Sequence, residues 1–226
     1  IAFECRPADA SAQSQPVYAS PELLLEDGDR ITAVAAGVLG SNDDADRFRI
    51  VPISEDWGPE LQGRARARVV HVGTDAPPFR LGGDIPASQT LDRFSTTDAA
   101  GFDLETEGGD RLELLEDVGS DPEQYTSFTM PPVAQGEEVL LVATGFLGSL
   151  AREPEGFSVI AVGREGTLEV IRQDPELFFV HGSGDAGTLE VCLGDDDIAA
   201  NFNFGESSST RLSPDTYALE IFNYPA

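Results

Sequence analysis

Apolar and polar residues alternate in short runs along the whole chain, and clusters of Gly, Pro, Asp and Ser separate the runs. A period of two puts every second side chain on one face of a strand. The pattern therefore predicts strands near 1–6, 16–20, 30–38, 47–53, 66–73, 78–81, 101–106, 111–115, 125–130, 137–146, 157–163, 167–172, 176–182, 187–193, 201–204 and 216–222. No segment sustains the 3.6-residue apolar stripe of an amphipathic helix. The stretches Ser41 to Asp46 and Gly119 to Glu123 hold turn residues without an apolar period and read as loops. The expected fold class is all-β.

The strands recur. Gly28-Asp-Arg-Ile-Thr-Ala-Val-Ala-Ala-Gly-Val-Leu-Gly40 matches Gly136-Glu-Glu-Val-Leu-Leu-Val-Ala-Thr-Gly-Phe-Leu-Gly148 at a spacing of 108. Arg49-Ile-Val-Pro-Ile53 matches Ser158-Val-Ile-Ala-Val162 at 109, and Val70-His71 matches Val180-His181 at 110, each pair followed by an Asp-Ala. A fourth motif is read three times, as Ile1 to Cys5, Phe102 to Thr106 and Tyr217 to Ile221. About seven short strands in each unit of roughly 110 residues predict tandem immunoglobulin-like β-sandwich domains.

The cut through the repeat is unusual. Residues 65–174 make one complete unit, 1–64 the C-terminal half of another, and 175–226 the N-terminal half of a third. A half sandwich leaves an apolar inner face and an unpaired sheet edge exposed. Three completions stay open: 175–226 closes onto 1–64 of the same chain, onto 1–64 of a neighbouring chain, or onto parts of a longer protein. The second is a head-to-tail contact that builds a ring or an open filament.

Charge narrows the partners. The chain of 226 residues holds 41 Asp and Glu against 14 basic residues, for a formal net charge of −27. All the basic residues are Arg. Such a surface excludes nucleic acid and anionic membrane as partners, since phosphate binding is driven by clustered positive charge. No apolar run approaches the roughly 18 residues of a membrane span, so no membrane insertion is expected. No charged n-region or small-residue cleavage site opens the chain at Ile1, so any export signal is expected to have been removed or to lie outside this sequence.

Val69-Val-His-Val-Gly-Thr-Asp-Ala-Pro77 resembles the opening strand and turn of an exported bacterial and archaeal family, the domain of unknown function 4397, with Thr74 in place of the family's Pro. Leu212-Ser-Pro-Asp-Thr-Tyr-Ala-Leu-Glu220 and Thr32-Ala-Val-Ala-Ala-Gly37 look like two further strands of that family. The resemblance covers most of the chain and implies tandem copies and an extracellular or cell-surface location. Some relatives carry a bridged pair of cysteines, and Cys5 and Cys192 match those positions. The resemblance thus makes Cys5 and Cys192 a candidate disulfide, formed where the two half units meet; the alternative is two buried free thiols.

Little of the sequence points to catalysis. His71 and His181 occupy equivalent repeat positions, which favours a structural imidazole over an acid–base or ligand role; Asp75 and Asp185 stand close enough in sequence to orient the rings. No nucleophile elbow, phosphate loop or paired-histidine metal motif accompanies them. Asp43, Asp44 and Asp46, and Asp195, Asp196 and Asp197, offer hard oxygen ligands without the spacing of a calcium loop, and read as solvated charge. Trp57, Tyr18, Tyr125, Tyr217 and Tyr224 are too few and too scattered to define a carbohydrate platform. The expected protein is a non-enzymatic extracellular structural or surface component, without cofactor, that self-associates head to tail or meets another surface component. The alternative is a monomeric extracellular module that binds glycan or protein, with calcium support.

Overall fold

The computed structural model describes residues 1–11, 13–57, 64–86, 89–117, 122–194 and 196–223. Asp195, Tyr224 and most of the Gly119 to Glu123 loop lie outside them, as does most of the join before residue 65. Every element among the described residues is a strand: β1 Glu4–Cys5, β2 Tyr18–Ala19, β3 Ile31–Ala36, β4 Arg49–Ser54, β5 Ala65–His71, β6 Phe79–Gly83, β7 Phe102–Leu104, β8 Arg111–Glu116 and β9 Gln124–Thr129 come first. Then follow β10 Glu138–Thr144, β11 Ser158–Gly163, β12 Gly166–Arg172, β13 Glu176–Val180, β14 Leu189–Leu193, β15 Asp196–Phe202, β16 Ser207–Arg211 and β17 Leu219–Asn223. The chain is all-β, and no helix is long and apolar enough to cross a membrane.

Residues 65–174 fold into two sheets over one core. A five-stranded sheet has the order β12-β11-β10-β5-β7, and a three-stranded sheet the order β6-β8-β9. The inward residues of both fill a single cluster that includes Ala67, Val69, Phe79, Leu81, Leu112, Leu114, Phe128, Val139, Leu141, Phe157, Val159 and Ala161. Alternation explains the set, because residues 139, 141 and 143 of β10 point into this core while 140 and 142 point out of it. β5 and β10 are paired in parallel, Arg66 opposite Glu138 through His71 opposite Ala143. The other ladders of these two sheets are antiparallel.

The outward face of the five-stranded sheet is apolar too, and the β3–β4 hairpin covers it. Val34, Ala36, Val51 and Ile53 pack against Val70, Val72, Leu140, Val142, Ile160 and Val162 in a second cluster. Arg68 sits at its margin, its guanidinium giving hydrogen bonds to the Ser54 carbonyl at 2.7 Å and to Thr96 Oγ1 at 3.3 Å, 5.4 Å from the centre of the Trp57 ring. Burial pulls its pKa down, against the opposing charges of Asp56 and Asp98.

Two loops share a geometry. Val38 bridges Arg47 in parallel, and Phe146 bridges Gly156 in the same way. Each loop opens on a glycine with positive φ, Gly37 at 88° and Gly145 at 93°. A Cβ there would come within 2.6 Å of the Arg47 carbonyl oxygen and 2.7 Å of the Glu155 carbonyl oxygen, so only glycine fits either turn.

Three expectations need correction. β16 spans a serine run that has no apolar period, yet it pairs with β13 from Val180 opposite Ser207 to Glu176 opposite Arg211. Asp196 and Asp197, read as loop, lie in β15, beside β14. The strand at Tyr217 to Ile221 does not repeat Phe102 to Thr106: β17 pairs with β14, Ile221 opposite Val191, as β8 pairs with β6, Leu114 opposite Leu81. The counterpart of β7 is β16, since it flanks β13 as β7 flanks β5.

Candidate interaction surfaces

The outer segments, 1–57 and 175–223, form small sheets of their own: β1-β2, β3-β4, β13-β16 and β15-β14-β17. Among the described residues no strand of the first segment pairs with a strand of the second. They attach to different sides of the central unit. β3 and β4 lie on the outer face of its five-stranded sheet. The C-terminal segment is tied to the other sheet, where the Arg111 guanidinium donates to the Arg211 carbonyl at 3.1 Å. At the join, buried Asp174 accepts from Ser127 Oγ at 2.7 Å and Thr129 Oγ1 at 2.8 Å, and its N–H donates to the Ser127 carbonyl.

Both segments expose several of the positions that the central unit buries, although Val191, the counterpart of Leu81, is buried as Leu81 is. At the repeat spacings, Ile31, Ala33 and Ala35 correspond to core residues Val139, Leu141 and Ala143, and Ile50 and Pro52 to Val159 and Ala161. Ala33, Ala35 and Pro52 are exposed, and Ile31 and Ile50 only half-buried. A cavity of about 140 Å³ opens beside Ile50 and Pro52, lined also by Phe3, Pro21 and Leu23. On the other segment Leu177 corresponds to Ala67, and Leu219 and Ile221 to Leu112 and Leu114 through their pairing; these three are 38%, 50% and 57% exposed. Phe178 and Val180, on the opposite face of β13, are 66% and 71% exposed. Apolar side chains are thus exposed on both segments.

The open edges match as well. In the central unit β5 lies between β10 and β7, whereas among the described residues β13 has only β16, its β7 counterpart, beside it. Among the same residues β3, the counterpart of β10, pairs only with β4. By repeat position β3 matches the strand that flanks β5. The sequence alignment of Ile31–Ala36 with residues 139–144 already held this signal; the alternation within β10 tells which of the six point into a core.

The singled-out polar residues have structural work. Nδ1 of His71 accepts the Gly73 N–H at 3.3 Å and Nδ1 of His181 accepts the Ser183 N–H at 3.3 Å, so each ring holds its own turn. His181 Nε2 lies 2.7 Å from the Gly187 carbonyl. The aspartates do not orient these rings as expected. Asp75 accepts the N–H groups of Leu147 and Gly148 at 2.5 and 2.8 Å, and Asp185 accepts from Ser183 Oγ at 2.9 Å. Asp44 pairs with Arg47, and Asp46 with Arg93. Tyr18 stacks edge-on against Phe48 at 5.2 Å, and the Tyr217 hydroxyl donates to the Ser213 carbonyl at 2.8 Å.

Cys5 and Cys192 are free thiols in this structure. They lie in different sheets, Cys5 opposite Tyr18 and Cys192 between Asp197 of β15 and Glu220 of β17. Burial, with Glu190, Asp197 and Glu220 nearby, pushes the Cys192 thiol pKa up.

Fully buried His71 packs its ring 4.4 Å from that of Phe79. Burial holds its pKa down, at about 4, against the backbone of Ala76 and Pro77, which favours the charged form. The unfolded chain, with an ordinary histidine pKa of about 6.5, binds the proton more readily. Stability from this group is thus full above pH 6.5 and is lost as pH falls from there to about 4, on the order of 3 kcal/mol in all. An NMR titration of the folded chain should find the His71 imidazole neutral down to about pH 4; a midpoint near 6.5 for that ring would contradict it.

The chain matches no protein-family model and no curated protein.

Proposed function

We propose that this chain is a non-enzymatic structural protein of the cell exterior, built of immunoglobulin-like sandwich repeats, and that copies join head to tail. Residues 175–226 of one copy complete 1–64 of the next. The observation that carries the reading is the match between two open edges: among the described residues β13 has no strand on the side where β5 has β10, the strand that β3 resembles, and Ala33, Ala35, Leu177, Leu219 and Ile221 are exposed. Transferring the central β10–β5 register, Leu140 opposite Arg68 and Val142 opposite Val70, sets Thr32 of one copy beside Phe178 of the other and Val34 beside Val180. Strand addition of this kind takes affinity from main-chain hydrogen bonds and selectivity from the alternate side chains. Resemblance to the exported domain of unknown function 4397 supports the exterior location, and the turn-holding roles of both histidines support a structural protein.

Each copy brings a formal charge of −27, so association strengthens as salt screens the repulsion. Sedimentation of the purified chain at ~0.15 M and ~1 M NaCl, where the screening length falls from about 8 to 3 Å, should give multiples of 24.1 kDa that grow with protein and salt concentration. A single-chain mass at every concentration would overturn the reading and leave a monomeric binding module in its place. Non-reducing gels report separately whether Cys5 of one copy has bridged Cys192 of the next, since only a covalent ladder collapses on reduction.

A further inference from the structure

In the central unit β8 serves two neighbours at once, lying between β6 and β9. Elsewhere that role is divided. Among the described residues β17 pairs with β14, the counterpart of β6, and with no strand on its other side; β1 pairs with β2, which precedes β3 as β9 precedes β10, and with no other. Joining the two segments brings two claimants to one slot between β14 and β2. Resting on the head-to-tail reading, we infer that the β2 edge is a binding site for β17 of a second copy and that β1 is the resident strand it displaces.

The holdings of the two strands are unequal. β17 is paired with β14 at five positions, from Leu189 opposite Asn223 to Leu193 opposite Leu219, whereas β1 meets β2 at two, Glu4 opposite Ala19 and Cys5 opposite Tyr18. The run 1–5 is tied to the β2 region by hydrogen bonds from Val17 N–H to the Cys5 carbonyl and from Ser20 N–H to the Phe3 carbonyl, both 2.8 Å, from Phe3 N–H to Ser20 Oγ at 2.8 Å, and by a reciprocal pair between Ile1 and Leu23 at 2.6 Å. Beneath it Phe3 leaves the 140 Å³ cavity against Ile50 and Pro52 unfilled. β17 arrives with Leu219 and Ile221, whose counterparts Leu112 and Leu114 are buried in the central core. The weaker resident thus gives way to a strand already anchored at its far edge, and β1 keeps the β2 edge capped until a second copy arrives.

Three proteins test this: the full chain, the chain lacking residues 1–6, and a full chain in which Glu4→Cys and Ala19→Cys, in a Cys5→Ser background, lock β1 to β2 by a cross-strand disulfide. Light scattering should find that the deletion assembles at least about tenfold faster than the full chain, and that the locked chain stays single until reduced. Deletion that leaves assembly unchanged or slower, or a locked chain that assembles as well as the reduced one, overturns the displacement while leaving head-to-tail joining intact. Failure of all three to assemble overturns both. Hydrogen exchange on the unaltered chain probes the same displacement without a variant: on assembly residues 1–6 should become rapidly exchanging while the Val17 and Ser20 amides stay protected, and retained protection across 1–6 would refute displacement.

Discussion

Replacing Ala33 with Asp should abolish self-association while leaving the folded chain intact. Ala33 is exposed in the single chain, so a carboxylate there stays in water and costs the fold little. Its repeat counterpart Leu141 is buried at the centre of the core. In a completed unit the new charge would be buried without a partner, at roughly 3 kcal/mol or more, which weakens association about a hundredfold. Its neighbour provides the contrast. Val34 points the other way, into the cluster that holds the hairpin on the central sheet, and Val34→Asp should destabilise the fold itself. Sedimentation and thermal melts on both variants separate the two faces. An Ala33→Asp chain that associates as tightly as the unaltered one would show that this face is not the contact.

Phe157→Ala should have the largest effect on stability. The Phe157 ring is fully buried, 6.2 Å from that of Phe128, and backs onto Gly73, where a Cβ would come within 2.4 Å of it. The fit leaves no room for neighbours to collapse into the space. Truncation is expected to cost about 3–5 kcal/mol, against a total stability on the order of 5–15. A melt followed by circular dichroism should move down by about 10 °C or more. A shift of only about 2 °C would mean that this cluster does not hold the two sheets together.

Much of this was written in the alternation. Residues 28–40 and 136–148 announce the repeat because Gly37 and Gly145 occupy a turn that no side chain tolerates, and β3, β4, β10 and β11 lie close to where the pattern puts them. β16 was not legible, since Ser207 to Thr210 offers no apolar face; its strand form comes from pairing with Phe178 and Phe179, a tertiary cause that local pattern does not carry. β17 was misassigned because Tyr217 to Ile221 resembles Phe102 to Thr106 in residues, whereas its partner β14 defines its role. Of the candidate chemistry, the structural histidines were legible from their equivalence. The aspartates were not, as proximity in sequence said nothing of the loop amides at Leu147 and Gly148 that Asp75 accepts.

The parallel pairing of β5 with β10 has a mechanical consequence. β10 is antiparallel to β11 and β11 to β12, so β12 runs in the same direction as β5. A pull that enters at Ala65 and leaves at Arg172 therefore draws the first and last strands of the central unit lengthwise past one another. The bonds of three ladders take the load together, where a hairpin parted at its open end would yield them one by one. Under tension this unit should be the slowest part of the chain to give way, with its resistance set by the rate of unfolding and not by its equilibrium stability.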